Sequence, residues 1–163
     1  MSGCHIIVGA TNTGKTFYLK KFLDKIPNKN ALLIYDVNNE YKNYFNYPLI
    51  PFEDFVYKAS LCEHAVMVFE EATIFLNNRS CNEDLYNILV RKRHTDNYIF
   101  LVFHSLRSIP RYIYELSNYI TIFKTNDTPY LSAKELKDER IEEIMERVKN
   151  SKNIHINVTL KIY

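Results

Sequence analysis

Glycine is scarce in this sequence. Its 163 residues include only 3, Gly3, Gly9 and Gly14, so the residue that most freely adopts unusual backbone angles is confined to one short stretch. Cysteine is also sparse: Cys4, Cys62 and Cys81 form an odd set without C-x-x-C spacing, which argues against a disulfide framework and against a zinc site. No excess of one charge exists, because Lys+Arg number 21 against Asp+Glu 19, a net +2. A nucleic-acid partner is therefore not implied by net charge and would need a local basic patch. No apolar run approaches the roughly 20 residues of a membrane span. No basic segment followed by a long apolar stretch opens the chain, so no signal peptide and a cytosolic origin are expected. Internal repeats, low-complexity tracts and linkers are missing too, which leaves a single domain over 1–163. What is present is ordinary for a soluble globular protein, with 47% hydrophobic and 25% charged residues. The length suffices to bury a core.

The glycines mark the place to look. Cys4–Val8 is a short apolar, β-branched run that reads as a buried strand. It is followed by Gly9-Ala10-Thr11-Asn12-Thr13-Gly14-Lys15-Thr16, a full match to G-x-x-x-x-G-K-[ST]. Leu19, Phe22, Leu23 and Ile26 then repeat at helical spacing, predicting a helix over 17–26. A strand, a tight loop and a helix in that order form a phosphate cradle. Loop N–H groups turn inward, and the helix N-terminus adds partial positive charge. Lys15 is placed to reach β- and γ-phosphates, and the Thr16 hydroxyl to ligate Mg²⁺.

A second strand carries the complementary chemistry. Ala65–Phe69 is apolar throughout and ends in Glu70-Glu71. Glu70 is the candidate for holding Mg²⁺ through its water shell, and Glu71 for polarising an attacking water. Two acids opening a helix, favoured there by the dipole, are the plainer alternative.

Further strands are predicted at 31–36, 98–103, 119–123 and 154–162, the last alternating apolar and polar residues as an edge strand does. Helices are predicted at 53–61, from a cap at Asn82 to about 94, within 105–117, and from Ser132, where Glu135 completes a capping box. The segment 43–52 reads as irregular. Strands alternating with helices predict an α/β fold, a mainly parallel sheet flanked by helices with a C-terminal helix and an edge strand. Its ligand site belongs at the carboxyl ends of the strands, where Gly9–Thr16, Asp36, Glu70–Glu71 and His104 all fall.

Four segments together resemble the FtsK–HerA branch of P-loop ATPases, a RecA/ASCE-like group, and within it the small genome-packaging ATPases of tailless viruses. They are Gly9–Thr16, the Asp36-x-x-x-Glu40-Tyr41 turn, Val66–Ala72, and the stretch from Arg93 and His94 through His104 to Ile109-Pro110. The resemblance covers about 4–125. Two positions depart from the pattern: Glu70 stands where Asp is usual, and His104 where the polar sensor is usually Gln. The resemblance implies a homo-oligomeric ring, a hexamer or pentamer, that hydrolyses ATP with Mg²⁺ at subunit interfaces and drives DNA through its pore. It implies an arginine finger from the neighbouring subunit, with Arg93 the first candidate, Arg91 the second and Arg107 the third. A cationic helix end matched to its dipole accounts for Arg91-Lys92-Arg93-His94 about as well. The resemblance also implies a capsid vertex or portal as docking partner, and a place in the host cytoplasm or with the virion.

Lys20, Lys21, Arg79, Arg107 and Arg111 are candidates for DNA contact, each more simply a solvated charge. His5, His64 and His155 share no metal-ligand spacing and read as structural. Two other functions fit the phosphate loop. One is a nucleotide-binding phage assembly factor like the zonula-occludens-toxin-like proteins. The other is a small nucleoside or nucleotide kinase, for which no Arg-rich lid segment is evident.

Overall fold

The computed structural model describes residues 2–28, 31–44, 49–76 and 82–163. Arg79 and Cys81, and part of the irregular segment 43–52, lie outside them. In chain order the elements are β1 (Gly3–Val8), α1 (Lys15–Leu23), β2 (Leu32–Tyr35), α2 (Phe52–Ser60), β3 (Val66–Phe69) and α3 (Ala72–Phe75). Then follow α4 (Glu83–Arg91), β4 (Tyr98–Phe103), a 3-10 turn at Leu106–Ser108, α5 (Arg111–Leu116) and β5 (Tyr119–Phe123). The chain closes with α6 (Pro129–Leu136), α7 (Arg140–Asn150) and β6 (Asn157–Lys161).

The strands form one six-stranded sheet in the order β2-β3-β4-β1-β5-β6. All neighbours are parallel except β5 and β6, which run antiparallel at the edge. Register decides what emerges together. Val8 pairs with Phe103, so Gly9 and His104 leave the sheet side by side. Tyr35 pairs with Phe69, so Asp36 and Glu70 do the same. Because β4 lies between β1 and β3, His104 stands between the phosphate loop and Glu71.

Period-two alternation splits the core into two layers. One face buries Ile6, Val8, Leu101 and Phe103 under α2, α4, α5, α6 and α7. It includes an aromatic group in which the rings of Phe52 and Phe75 stack with centroids 3.7 Å apart, edge-on to Tyr35. The other face buries Ile7, Phe100, Val102 and Val68 under Leu19 and Leu23 of α1 and under Tyr41. Thus α1, the helix that follows the phosphate loop, is clamped by the sheet along its whole inner stripe. Burying Leu19 and Leu23 completely contributes about 2 kcal/mol each.

Two expectations need correction. No capping box starts a single helix at Ser132. α6 begins at Pro129, where proline's fixed φ suits a first helical position, and Ser132 sits inside it with its side chain buried. Lys137 then turns left-handed at φ 53° and separates α6 from α7. The alternating run 154–162 is a strand only over Asn157–Lys161; residues 151–156 instead cross the carboxyl rim beside the phosphate loop, leaving Ile154 exposed. Asn82, by contrast, caps α4 as its residue type demands, its Oδ1 accepting the Leu85 N–H at 3.0 Å.

Candidate nucleotide site

A cleft of about 440 Å³ opens at the carboxyl rim, lined by Gly14, Lys15 and Thr16 from the loop, Asn38 and Glu40 after β2, Glu70 and Glu71 after β3, His104 after β4, and His155 before β6, among others. The loop's shape follows from its glycines. A Cβ on Gly9 would lie 2.5 Å from Phe123 Cβ and 2.9 Å from Thr13 Oγ1, a clash that only glycine avoids. Gly14 adopts φ +99°, which other residues resist, and delivers the chain into α1 at Lys15. Asn12 takes φ 63°, tolerable for its short polar side chain. Thr13 Oγ1 donates to Ala10 O at 2.7 Å and braces the loop from within.

Lys15 is folded back on that loop. Its Nζ donates to Gly9 O at 2.7 Å and to Ala10 O at 3.0 Å. Burial lowers its pKa, while Glu70, Glu71 and Glu40 act in the opposite direction. The ammonium thus sits, partly desolvated, among three carboxylates at the cleft floor.

The carboxylates have distinct settings. Glu70 is buried and accepts a short hydrogen bond from the Tyr41 hydroxyl. Burial pushes its pKa up to about 7, with Glu40 and Glu71 adding to the rise and Tyr41 and Lys15 opposing it. Glu71 holds a left-handed backbone, φ 55° and ψ 40°, which costs a non-glycine residue about 1 kcal/mol. Its Oε1 lies 2.6 Å from His104 Nε2 and accepts from Asn38 Nδ2 at 3.2 Å. Glu40 Oε2 accepts from Thr16 Oγ1 at 2.7 Å.

His104 links the two halves. Its Nδ1 lies 3.5 Å from Lys15 Nζ, a group that can only donate. Its Nε2 faces a carboxylate that can only accept. These neighbours select the tautomer protonated at Nε2. That tautomer offers one donor and one acceptor, the same pair a glutamine amide presents.

The donors facing the cleft suit a magnesium ion. The Thr16 hydroxyl and the Glu70 carboxylate are hard oxygen ligands, and the cleft's two imidazoles are engaged elsewhere, His104 with Glu71 and Lys15 and His155 with Thr13 O. Among the described residues no cluster of three or more His, Cys, Asp or Glu forms a closed metal cage. Mg²⁺ needs none, since it takes most of its ligands from phosphates and water.

The sequence-derived residues Gly14–Thr16, Thr11, Asn12, Glu70, Glu71 and His104 therefore converge on one cleft, with Gly9, Ala10 and Thr13 shaping its loop. Arg91 and Arg93 do not join them. Arg91 ends α4 and Arg93 lies in the turn after it, on the approach to the amino end of β4, at the opposite rim of the sheet, both exposed. Arg107 lies on the carboxyl rim after β4, exposed and 3.3 Å from Glu135. Three cleft residues had no functional role assigned from sequence, His155 being read there as structural. Asn38 and Glu40 reach the site across a turn, and His155 packs over Gly14 with Nδ1 3.3 Å from Thr13 O. The Asp36-x-x-x-Glu40-Tyr41 spacing was the available signal for Glu40; nothing local marks His155.

This sheet order, phosphate loop and acidic strand end define a P-loop NTPase fold. Neither a family model nor a curated protein sequence matches the chain. Solved structures do match in fold. The genome packaging NTPase B204 from Sulfolobus turreted icosahedral virus 2, in complex with AMP, superposes with a TM-score of 0.81 at 17% identity, covering 99% of this chain and 93% of that one. The same NTPase in complex with AMPPCP gives 0.79 at 17% identity, covering 98% and 92%. The N-terminal domain of zonular occludens toxin from Neisseria meningitidis gives 0.53 at 13% identity over 77% of this chain and 78% of that one.

Proposed function

We propose that this chain is the motor subunit of a ring-forming ATPase that packages viral DNA. The observation that carries the reading is the convergence of phosphate loop, Thr16, Glu70, Glu71 and His104 on one cleft, in a fold shared almost end to end with a genome-packaging NTPase. Loop N–H groups and Lys15 bind the triphosphate, Lys15 exchanging its carbonyl partners for phosphate oxygens. Thr16 and Glu70 hold Mg²⁺, which when bound neutralises charge on the β- and γ-phosphates. Glu71 orients and polarises the attacking water, and His104 and Asn38 fix its carboxylate. Water is the acceptor in this reading because the Glu71 carboxylate faces the phosphate loop.

The cleft is open, and each subunit's neighbour closes it with an arginine: Arg93 first, Arg91 next, with Arg107 the third candidate. Arg91 and Arg93 sit far from their own chain's cleft, so either acts only in trans. DNA passes through the ring, a hexamer or pentamer, with Lys20, Lys21 and Arg111 among the exposed or half-exposed cations available to phosphates. A capsid vertex or portal anchors the motor, in the host cytoplasm or on the virion. Among the described residues no helix is long and apolar enough to cross a membrane.

The test is ATP turnover by wild type and Glu71→Gln, with and without double-stranded DNA. DNA-stimulated hydrolysis, lost in the variant while nucleotide binding persists, is the expected result. The fold-level likeness to zonular occludens toxin supports a second reading, an assembly factor that binds nucleotide without translocating DNA. Nucleotide binding with no turnover under any condition would favour it. Phosphoryl transfer to nucleosides by a monomer would sink both and leave a kinase.

A further inference from the structure

The turn after β2 touches three groups at the rim. Asn38 reaches Glu71, Glu40 reaches Thr16, and the Tyr41 hydroxyl reaches Glu70. The turn is pinned at both ends. Asp36 Oδ2 accepts the Tyr41 N–H at 2.7 Å across it, Asn39 supplies the left-handed bend at φ 58°, and Tyr41 is fully buried under the sheet. Glu40 is itself exposed, but it is held one residue from an immobile anchor. We infer that Glu40 is a positioning residue for magnesium, acting through the Thr16 hydroxyl. This inference rests on the nucleotide reading above and adds a residue to it.

The chemistry lies in the hydroxyl's inventory. Threonine Oγ1 has one proton and two lone pairs. Glu40 Oε2, 2.7 Å away, takes the proton, so what Oγ1 offers on its remaining side is lone pairs. A cation bound there makes the hydroxyl a stronger donor, and the carboxylate answers with a stronger hydrogen bond. This is the outer-shell arrangement that orients metal ligands and raises affinity. Without an acceptor at that position the hydroxyl can rotate its proton toward the cation's place. Glu40 also adds negative charge beside Glu70, to which the same turn is joined through Tyr41.

The sign of the effect separates this role from a structural one. Glu40→Gln removes a negative charge that faces the phosphates, so metal-free nucleotide binding should hold or strengthen. Magnesium-assisted binding should weaken. The experiment measures the affinity of a fluorescent, non-hydrolysable ATP analogue in excess Mg²⁺ and in EDTA, for wild type, Glu40→Gln, Thr16→Ala and the double variant. The expected result is a Mg²⁺-dependent gain in affinity reduced roughly tenfold or more in Glu40→Gln. The double variant should lose no more of that gain than Thr16→Ala, because Glu40 acts through the hydroxyl that Thr16→Ala removes. An unchanged Mg²⁺-dependent gain in Glu40→Gln would overturn the inference. So would an equal loss with and without metal, which would mark the residue as a support of the turn. A wild type whose affinity ignores Mg²⁺ would instead overturn the nucleotide reading on which the inference stands.

Discussion

Asn97 and Asn118 stand just before β4 and β5, whereas His104 and Glu71 stand just after β4 and β3, and the fold treats the two ends differently. At the amino rim, these two asparagines are consumed by backbone. Asn97 accepts the Ala65 N–H and donates to Cys62 O, both at 2.9 Å, and is 2% exposed. Asn118 Oδ1 accepts the Cys4 N–H at 2.9 Å while its own N–H returns to Cys4 O at 2.8 Å. At the carboxyl rim, the side chains are bonded to one another and face an open cleft. The amino rim thus closes the sheet. The carboxyl rim holds charged groups together at a cost in burial, as with Glu70, and in backbone strain, as with Glu71. Asn97 and Asn118 are held by backbone, whereas Glu71, His104 and Asn38 hold one another and stay open to the cleft.

The comparison is broken most forcefully by Glu71→Gln. The amide keeps the shape and can still meet His104, but it cannot accept a proton from water. Turnover should fall by about a thousandfold, equivalent to roughly 4 kcal/mol in the barrier, with the folded state as stable as before. Steady-state hydrolysis and a thermal melt of the same preparation check both halves.

How much of this was legible in the sequence depends on how local the cause is. The phosphate loop is a contiguous motif, and its two constrained glycines announce it. Glu70 and Glu71 follow an apolar strand directly, and His104 ends another, so each was legible from its own neighbourhood. Asn38, Glu40 and His155 act on partners far along the chain. His155 meets Thr13 only because β6 runs antiparallel to β5 and brings residues 151–156 back over the carboxyl rim. Turns were hard to place for a related reason. With glycine restricted to the first strand and loop, the chain bends elsewhere at Asn39, His64, Glu71, Asp96 and Lys137, all at positive φ. Lys137 carries no turn signal, which is why α6 and α7 read as one helix. Pro129 at the helix start was a usable cue, outweighed by the apparent capping box at Ser132 and Glu135.

At the amino rim the expected effect falls on stability alone. Asn97→Ala strands a buried N–H and a part-buried carbonyl, at about 1–3 kcal/mol for each group. The protein should lose about 3 kcal/mol of unfolding free energy in denaturant titration, while turnover per folded molecule stays at the wild-type level. A loss of turnover in material shown to be folded would mean that the two rims are coupled.

Between the rims, His5 tests whether a titratable group inside the sheet stays silent in function. It is buried, with Nε2 2.7 Å from Thr121 Oγ1, and burial lowers its pKa from 6.5 to about 4. The unfolded chain therefore binds the proton first. Stability is fully present above pH 6.5, declines as pH falls, and levels off below about 4. The loss over that window should be about 3 kcal/mol. His5→Phe, placed among Phe100, Tyr119 and Tyr18, should flatten this acid limb. Melts across the pH range decide it; an equally steep limb in the variant would move the cause to the carboxylates.

Asn38→Ala carries the smallest expected effect and tests the carboxyl rim most finely. Glu71 Oε1 has two partners, and the Asn38 contact at 3.2 Å is longer than the His104 contact at 2.6 Å. The lost bond is exposed, so water can take its place, and its contribution is about 1 kcal/mol. Turnover should drop several-fold, with nucleotide affinity unchanged because Asn38 binds the carboxylate and not the loop. A rise in turnover would reverse the assignment: Asn38 would then restrain Glu71 away from the water, and the β2 turn would be a brake on hydrolysis. No change at all would leave His104 alone in fixing the carboxylate. The direction of a several-fold change therefore decides whether side chains that satisfy only each other are aligned for the reaction or held back from it.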